Sequence, residues 1–317
     1  MSSASLPAPL PELLGEPLSR GELRADEPLG KHSQFGVGGP ADWYWEPASA
    51  ALLPDVLRLC SELDFPCTVL GAGSNCLILD GGIRGLVLKF PATRVEHQGE
   101  GLVCLQAGAL LPRAAFDTAY QGLLGLAFGV GIPGTAGAAA AGNAGAFGGE
   151  IGEILESLEA VLPGGDVLRL SPDDLRPRYR RTALQETSLQ GAVVTQVWLR
   201  LREGEVASAR LDVRRVMRER KASQPSGVRS LGSTFKNPTE EKAGQLIDAC
   251  GLKGFQVGAA QVSPQHANFI CNLGGARAAD VLALTALIRQ RVRERFGVEL
   301  ELEIIPVGSP GFQQRSS

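Results

Sequence analysis

The sequence predicts a fold that mixes strands and helices, α+β or α/β, and not a helical bundle or a β-sandwich. Short apolar strands such as CTVLG (67–71), CLIL (76–79) and LVLKF (86–90) share the chain with amphipathic helical stretches such as ALLPDVLRLCSEL (51–63). At 317 residues, with 44% of them in the AVILMFWYC set, the chain is long enough for two domains and apolar enough for a sizeable core. Its last third changes texture, a polar turn at 230–238 giving way to the strongest helical pattern of the chain at 276–297.

In order along the chain, residues 1–30 are rich in Pro, Leu and Glu and are expected to form a flexible leader. WYWEP (43–47) reads as a strand and 51–63 as a helix; CTVLG then ends in the loop GAGSN (71–75). Strands at 76–79, 86–90 and 102–108, a helix at 112–122 and a Gly/Ala-rich stretch at 129–149 follow. Strands at 154–162 and 192–202 close this half, and LDVRRVMRERKA (211–222) is a basic helix. Beyond SLGSTFKNP (230–238), Thr239 is the expected N-cap of a helix that runs to Gly251, with Glu240 and Glu241 in the first turn where the helix dipole favours anions. In 276–297, Val281, Leu284, Leu287 and Ile288 recur at helical spacing, and Gly297 is the stop. VELELEIIPVG (298–308) reads as a final alternating strand, and 309–317 as an unstructured tail.

Composition narrows the function. With 31 basic against 34 acidic residues the net charge is −3, so the chain is no polycation built for nucleic acid. Six cysteines are scattered without a CxxC, and only three histidines accompany them, so no metal site is expected. Such cysteines read as small hydrophobes of a reducing compartment, which points to the cytoplasm. The uncharged stretch 118–149 is mostly Gly and Ala and is broken by Pro133, a poor membrane span.

Five features could carry chemistry. In GAGSN, small residues after a strand let backbone N–H groups approach a phosphate; a tight turn between strands explains the same letters. In 129–150, Gly129, Gly131 and Gly134 spell GxGxxG, but Pro133 sits inside the turn and no βαβ unit opens there, which argues against a dinucleotide fold. Backbone lying close against a flat or phosphorylated ligand accounts for both Gly clusters. RPRYRRTAL (176–184) carries four arginines, either a solvated loop or one guanidinium poised for a carboxylate or phosphate. Ser233, in GSTFKNP (232–238), has no GxSxG and no histidine partner; it is an ordinary turn serine or a hydroxyl able to donate a proton. Alternation places Glu299, Glu301 and Glu303 on one face, a charged edge unless Ile304 and Ile305 draw Glu303 into an apolar region.

Taken together, FGVGGPAD (35–42), VLGAGSN (69–75), GIPGTAG (131–137), NAGAFGGEI (143–151), YRRT (179–182), GSTFKNP (232–238), VSPQHANFICN (262–272) and GVELELE (297–303) resemble the UDP-N-acetylenolpyruvoylglucosamine reductases, cytoplasmic flavoenzymes of bacterial peptidoglycan precursor synthesis. The resemblance runs from about 31 to 308. It implies an α+β fold: a two-subdomain FAD-binding domain of the PCMH/vanillyl-alcohol-oxidase type at 31–204 and a C-terminal α+β substrate domain at 205–308. It places the FAD diphosphate over Gly71, Ala72, Gly73, Ser74 and Asn75, and the isoalloxazine near Gly131, Ile132, Pro133, Gly134 and Thr135 and near Asn143, Ala144 and Gly145. NADPH would reduce the flavin, whose N5 would pass hydride to the β-carbon of the enolpyruvyl group. Ser233 matches the family's proton donor, Arg180 the arginine on the substrate carboxylate, and Glu303 the glutamate that polarises that group in its protonated form. Tyr179, Lys221, Asn237 and His266 are the implied contacts to substrate or NADPH.

Phe147 stands for a common tyrosine, Ile305 for an arginine, and no tyrosine-bearing loop lies between 181 and 222, so the chain resembles the shorter subgroup, expected to be monomeric. Two other readings stay open: an FAD oxidase of a sugar or alcohol, tethering its flavin through His97 or Cys76, and a non-catalytic flavin- or nucleotide-binding module.

Overall fold

A computed structural model describes residues 18–238 and 241–310. The expected cap Thr239 and its neighbour Glu240 lie outside the described residues. The first sheet is built on Pro40–Pro47, whose Tyr44 and Trp45 are fully buried. This strand pairs in parallel with Ile83–Leu88, which pairs in parallel with Cys67–Val69; on its other side it takes Gly21–Pro28 antiparallel. The 21–28 strand corrects the expectation of a leader up to residue 30. GELRADEP carries no apolar alternation because, as an edge strand, it leaves most side chains in water and is held by its ladder of main-chain hydrogen bonds. Leu18, Glu27 and Leu29 are nevertheless buried.

A second, antiparallel sheet runs in the order Val167–Leu170, Leu155–Val161, Val193–Arg200, Leu102–Gln106, Val95–His97. The helix Leu53–Glu62 presents Leu53, Val56, Leu57 and Cys60, one helical face, to a core that also takes residues from both sheets. The helix Val206–Ser223 packs on the helix Leu111–Tyr120 and on the short turn Ala127–Gly131. The Gly/Ala stretch thus resolves into that turn, the six-residue helix Ala136–Ala141, and a hairpin of Gly145–Ala146 with Gly149–Glu150.

The C-terminal region has its own core. Arg229–Ser233, Phe269–Asn272, Ala260–Val262 and Gln256–Val257 form an antiparallel sheet under the helices Ala243–Ala249 and Ala278–Phe296. Val281, Leu284 and Ile288 are fully buried, and Gly297 ends the long helix at φ 70°. Phe35, Val37, Leu77 and Leu79 from the first half join this core. Other stitches cross the same seam. Both carboxylate oxygens of Asp80 accept from the first N–H groups of the long helix, Ala278 at 2.9 Å and Ala279 at 3.0 Å. Asn272 Nδ2 donates to the Phe35 carbonyl at 2.9 Å.

Three expectations are corrected here. The helix expected directly after Thr239 begins at Ala243, so Glu241 precedes it and Lys242 is at its cap. The expected strand 298–308 shrinks to Ile305–Val307, in parallel with Cys76–Ile78, because the chain bends at Glu303 and Ile304. Ser309 belongs to the fold rather than the tail: its N–H donates to Gly82 and its carbonyl accepts from Gly81, both at 2.9 Å. Among the described residues all six cysteines are free thiols, no group of side chains has metal-ligand spacing, and no helix is long and apolar enough to cross a membrane.

Candidate functional site

The loop 71–75 leaves the 67–69 strand with Gly73 at φ 61°, and a Cβ there would sit 2.5 Å from the His32 carbonyl. A Cβ on Gly71 would lie 2.9 Å from Thr135 Oγ1, and one on Gly134 3.1 Å from Ser74 Oγ. The two glycine loops, about sixty residues apart in sequence, therefore approach closely, with the Thr135 and Ser74 hydroxyls between Gly71 and Gly134 and their opposite loops. Gly134 is fixed from behind by the Leu111 N–H, which donates to its carbonyl at 2.9 Å, and Thr135 opens the 136–141 helix. Beside them is a cavity of about 370 Å³ whose wall includes Gly71, Ala72, Thr135, Ser33 and Lys89. The Ser33 hydroxyl is buried without a hydrogen-bond partner among the described residues. A donor left in this state, next to backbone stripped of side chains, fits an oxygen-rich ligand.

Gly131, Ile132 and Pro133 lead into this loop, with the Phe147 ring where a Cβ of Gly131 would go. Ile132 and Pro133, like Ala144 and Gly145, are half-buried. The Asn143 side chain is bonded within the protein: Nδ2 donates to Glu150 and to the Arg178 carbonyl, both at 3.0 Å, and Oδ1 accepts from the Gly152 N–H at 2.8 Å. Both amide donors are spent holding the arginine-rich turn against the Gly-rich hairpin. Asn143→Ala is expected to lower the unfolding free energy by about 2–4 kcal/mol, from lost bonds and an unpaired Gly152 N–H, as read by urea titration.

That turn is closed by paired main-chain bonds between Arg178 and Arg181, with Tyr179 and Arg180 at its tip and Arg180 at φ 58°. Its arginines divide. Arg178 and Arg181 pair with Glu186 in solvent at 2.6 and 2.8 Å, whereas Arg180 turns inward. Arg180 Nε donates to Glu303 Oε1 at 2.5 Å, and Nη2 to the Gly145 carbonyl at 2.8 Å. Glu303 lies at the bend of the C-terminal segment. Its N–H donates to the Thr234 carbonyl at 2.9 Å, and its own carbonyl accepts from Asn75 Nδ2 at 3.0 Å. Burial pushes the Glu303 carboxyl above the usual range, against the pull of Arg180 and Lys236. The three glutamates do not share one face. Glu299 pairs with Arg289 at 2.5 Å and Glu301 with Lys236 at 3.2 Å, both exposed, while Ile305 is 50% exposed rather than buried.

Ser233 ends its strand one residue before the Thr234 carbonyl that holds Glu303. It is half-buried, and its hydroxyl has no hydrogen-bond partner among the described residues. The strand end is fixed by Asn268, which sequence reasoning missed. Buried Asn268 accepts the Phe235 N–H at 2.9 Å and donates to the Phe235 carbonyl at 2.8 Å, while its own carbonyl takes the Thr234 N–H at 2.8 Å. Around this centre, Tyr179 Oη accepts from the Asn237 N–H at 3.4 Å, and Asn237 Oδ1 from the Ala243 N–H at 3.1 Å. Lys221 is exposed at the end of the 206–223 helix, where Gln265 Nε2 caps its carbonyl at 3.3 Å. His266, next in sequence, accepts the Asn268 N–H on Nδ1 at 3.2 Å, and burial pushes its pKa down. No hydrogen bond or ion pair joins Lys221 or His266 to Ser233 among the described residues.

Residues 41–171 match the family described as "FAD binding domain", and the chain is accordingly an FAD-binding-domain protein. Residues 224–307 match "UDP-N-acetylenolpyruvoylglucosamine reductase, C-terminal domain". The chain is 44% identical over 287 residues to the UDP-N-acetylenolpyruvoylglucosamine reductase of Rubrobacter xylanophilus, spanning 90% of this chain and 95% of that protein. It is 37% identical over 298 residues to that of Clostridium perfringens, 94% of this chain and 97% of that one. The crystal structure of UDP-N-acetylenolpyruvylglucosamine reductase from Thermus caldophilus superposes with a TM-score of 0.77 at 36% identity, covering 91% of this chain and 99% of that one. The chain belongs to the UDP-N-acetylenolpyruvoylglucosamine reductase family and is an oxidoreductase of the α+β class. Its cavity fits FAD: the Cβ-free cradle and the unpartnered Ser33 hydroxyl suit a diphosphate.

Proposed function

We propose that the chain reduces UDP-N-acetylglucosamine enolpyruvate to UDP-N-acetylmuramate, with FAD as cofactor and NADPH as reductant, in the synthesis of peptidoglycan precursors. The observation that carries this reading is the convergence of Arg180, Glu303 and the strand end bearing Ser233 beside Asn75 of the 71–75 loop and Gly145 of the Gly-rich hairpin. When bound, FAD supplies hydride chemistry, accepting it from NADPH and donating it to the enolpyruvyl double bond. Residues 71–75 offer main-chain donors to its diphosphate, and 131–135 with Ala144 and Gly145 offer flat backbone to its ring system. The Asn143 side chain braces this region, bonding the Arg178 carbonyl and the Gly152 N–H, and its main chain lies beside the ring system with Ala144 and Gly145. The FAD-binding part takes in 31–204 together with the 21–28 strand and, correcting the boundary expected at 204, the 206–223 helix, which buries Ala209, Val213 and Val216 in the same core; the rest, to 308, receives the nucleotide sugar.

Arg180 is placed to receive the enolpyruvyl carboxylate bidentately, a fork that a lysine cannot copy. A substrate carboxylate there competes with Glu303 for the guanidinium and adds a like charge beside it, raising Glu303 further, so that it takes up a proton and donates a hydrogen bond to the same group. Negative charge developing at the α-carbon is thus met by a cation and a neutral donor fixed in advance. Ser233 delivers the proton to that carbon; a hydroxyl suffices because an enolate-like centre is a strong base. Tyr179, Asn237, Lys221 and His266 contact the uridine diphosphate or NADPH.

The test is an assay of the purified, FAD-loaded full chain. NADPH oxidation should be fast only when UDP-N-acetylglucosamine enolpyruvate is present, with a product heavier by two hydrogens. Oxygen-consuming oxidation of a sugar or alcohol without NADPH, or no acceleration by the enolpyruvyl substrate, would overturn the reading.

A further inference from the structure

Resting on the FAD-binding reading above, we infer that Lys89 is the cation that takes the FAD diphosphate, and that Glu27 and His32 are positioning residues that aim it. Glu27 comes from the 21–28 edge strand yet is buried, and His32 Nε2 lies 2.8 Å from its Oε1. The other face of the imidazole is decided by its neighbours. Tyr44 stacks on the ring at 4.3 Å and its hydroxyl lies 3.2 Å from Nδ1, but the Tyr44 hydroxyl hydrogen is committed to Glu46. The donor left for Nδ1 is Lys89 Nζ, at 3.5 Å. With Nδ1 accepting, Nε2 carries the hydrogen and donates to Glu27. A carboxylate behind an imidazole fixes its tautomer and orientation and strengthens it as an acceptor, so the Glu27–His32 pair holds the ammonium at one place.

That place is the wall of the cavity that Gly71 and Ala72 also line, beside the unpartnered Ser33 hydroxyl. Lys89 makes no ion pair among the described residues, and its main chain is fixed by its N–H donating to the Trp45 carbonyl at 3.0 Å. A half-buried cation without a counter-charge, an orphan hydroxyl and Cβ-free backbone converge on one anion. Lys31 lines the same cavity, but its side chain is 67% exposed and lies 3.9 Å from Glu27. Lys89 is therefore the held cation and Lys31 the solvated one.

The experiment titrates FAD into flavin-free full-length chain by quenching of flavin fluorescence, for the parent, Lys89→Met, Lys89→Arg, Glu27→Gln and the Glu27→Gln/Lys89→Met double variant. Loss of one charged hydrogen bond to a phosphate predicts a Kd about 10- to 100-fold weaker for Lys89→Met. Lys89→Arg should recover most of that loss. Glu27→Gln should weaken FAD by about 3- to 10-fold when Lys89 is present and add nothing when it is absent, because it acts only through the ammonium. Should Lys89→Met fail to fold, Lys89→Gln takes its place throughout. A Kd within about threefold of the parent for Lys89→Met, no recovery with Lys89→Arg, or an additive effect of Glu27→Gln overturns the inference. Failure of the parent chain to bind FAD at all is a different result and sinks the cofactor reading itself.

Discussion

Ser233→Ala should leave the reduction of bound flavin by NADPH at the parent rate and slow reduction of the enolpyruvyl substrate by about 10²–10⁴-fold, the span expected for losing a positioned proton donor. The substitution is clean. The Ser233 hydroxyl makes no hydrogen bond among the described residues, and the strand end is held by Asn268 through the main chains of Thr234 and Phe235. Stability should therefore move by less than about 0.5 kcal/mol. Anaerobic stopped-flow separates the two half-reactions, following flavin absorbance first with NADPH and then, on the reduced enzyme, with substrate. If both halves slow together, Ser233 serves the pocket and not the proton.

Glu303→Ala is expected to lower the substrate half-reaction by about 10²–10³-fold, the usual loss for one electrostatic donor at a developing charge. Glu303→Gln should lose far less. Burial raises the Glu303 pKa, so its protonated form is the one present below that raised value and is lost as pH climbs through it. If the protonated form is the working one, the parent rate falls with rising pH across that range, and the amide variant, neutral throughout, shows no such limb. A parent rate that instead rises with pH there would mean that the carboxylate is the working form. The flavin half-reaction should be indifferent to both substitutions.

The elements that read clearly in the sequence are those that bury a face. In the 278–296 helix, Val281, Leu284 and Ile288 recur at the helical period because that stripe meets the C-terminal core. Edge and bend elements escape the same logic. The 21–28 strand leaves its side chains largely in water, and the alternation of VELELEI continues past Glu303 although the backbone turns there. Motif letters single out the candidate loops but not each side chain's direction. Of the arginines in RPRYRR, only the fold separates Arg180, aimed at Glu303, from Arg178 and Arg181, which share Glu186. Asn143 spends its side chain on Glu150, on the Arg178 carbonyl and on the Gly152 N–H, which the motif letters alone do not show. Glu27, His32 and Lys89 lie up to about sixty residues apart and meet only once the 21–28, 40–47 and 83–88 strands pair, so no local pattern could have joined them.

The most direct measurement is a crystal structure of the oxidised, FAD-loaded enzyme with UDP-N-acetylglucosamine enolpyruvate bound. The expected result has the Arg180 guanidinium on the enolpyruvyl carboxylate, Glu303 within hydrogen-bond reach of the same group, and the Ser233 hydroxyl within about 3.5 Å of the α-carbon, close enough to hand over its proton. A carboxylate seated away from Arg180, or a Ser233 oxygen facing away from that carbon, would contradict it.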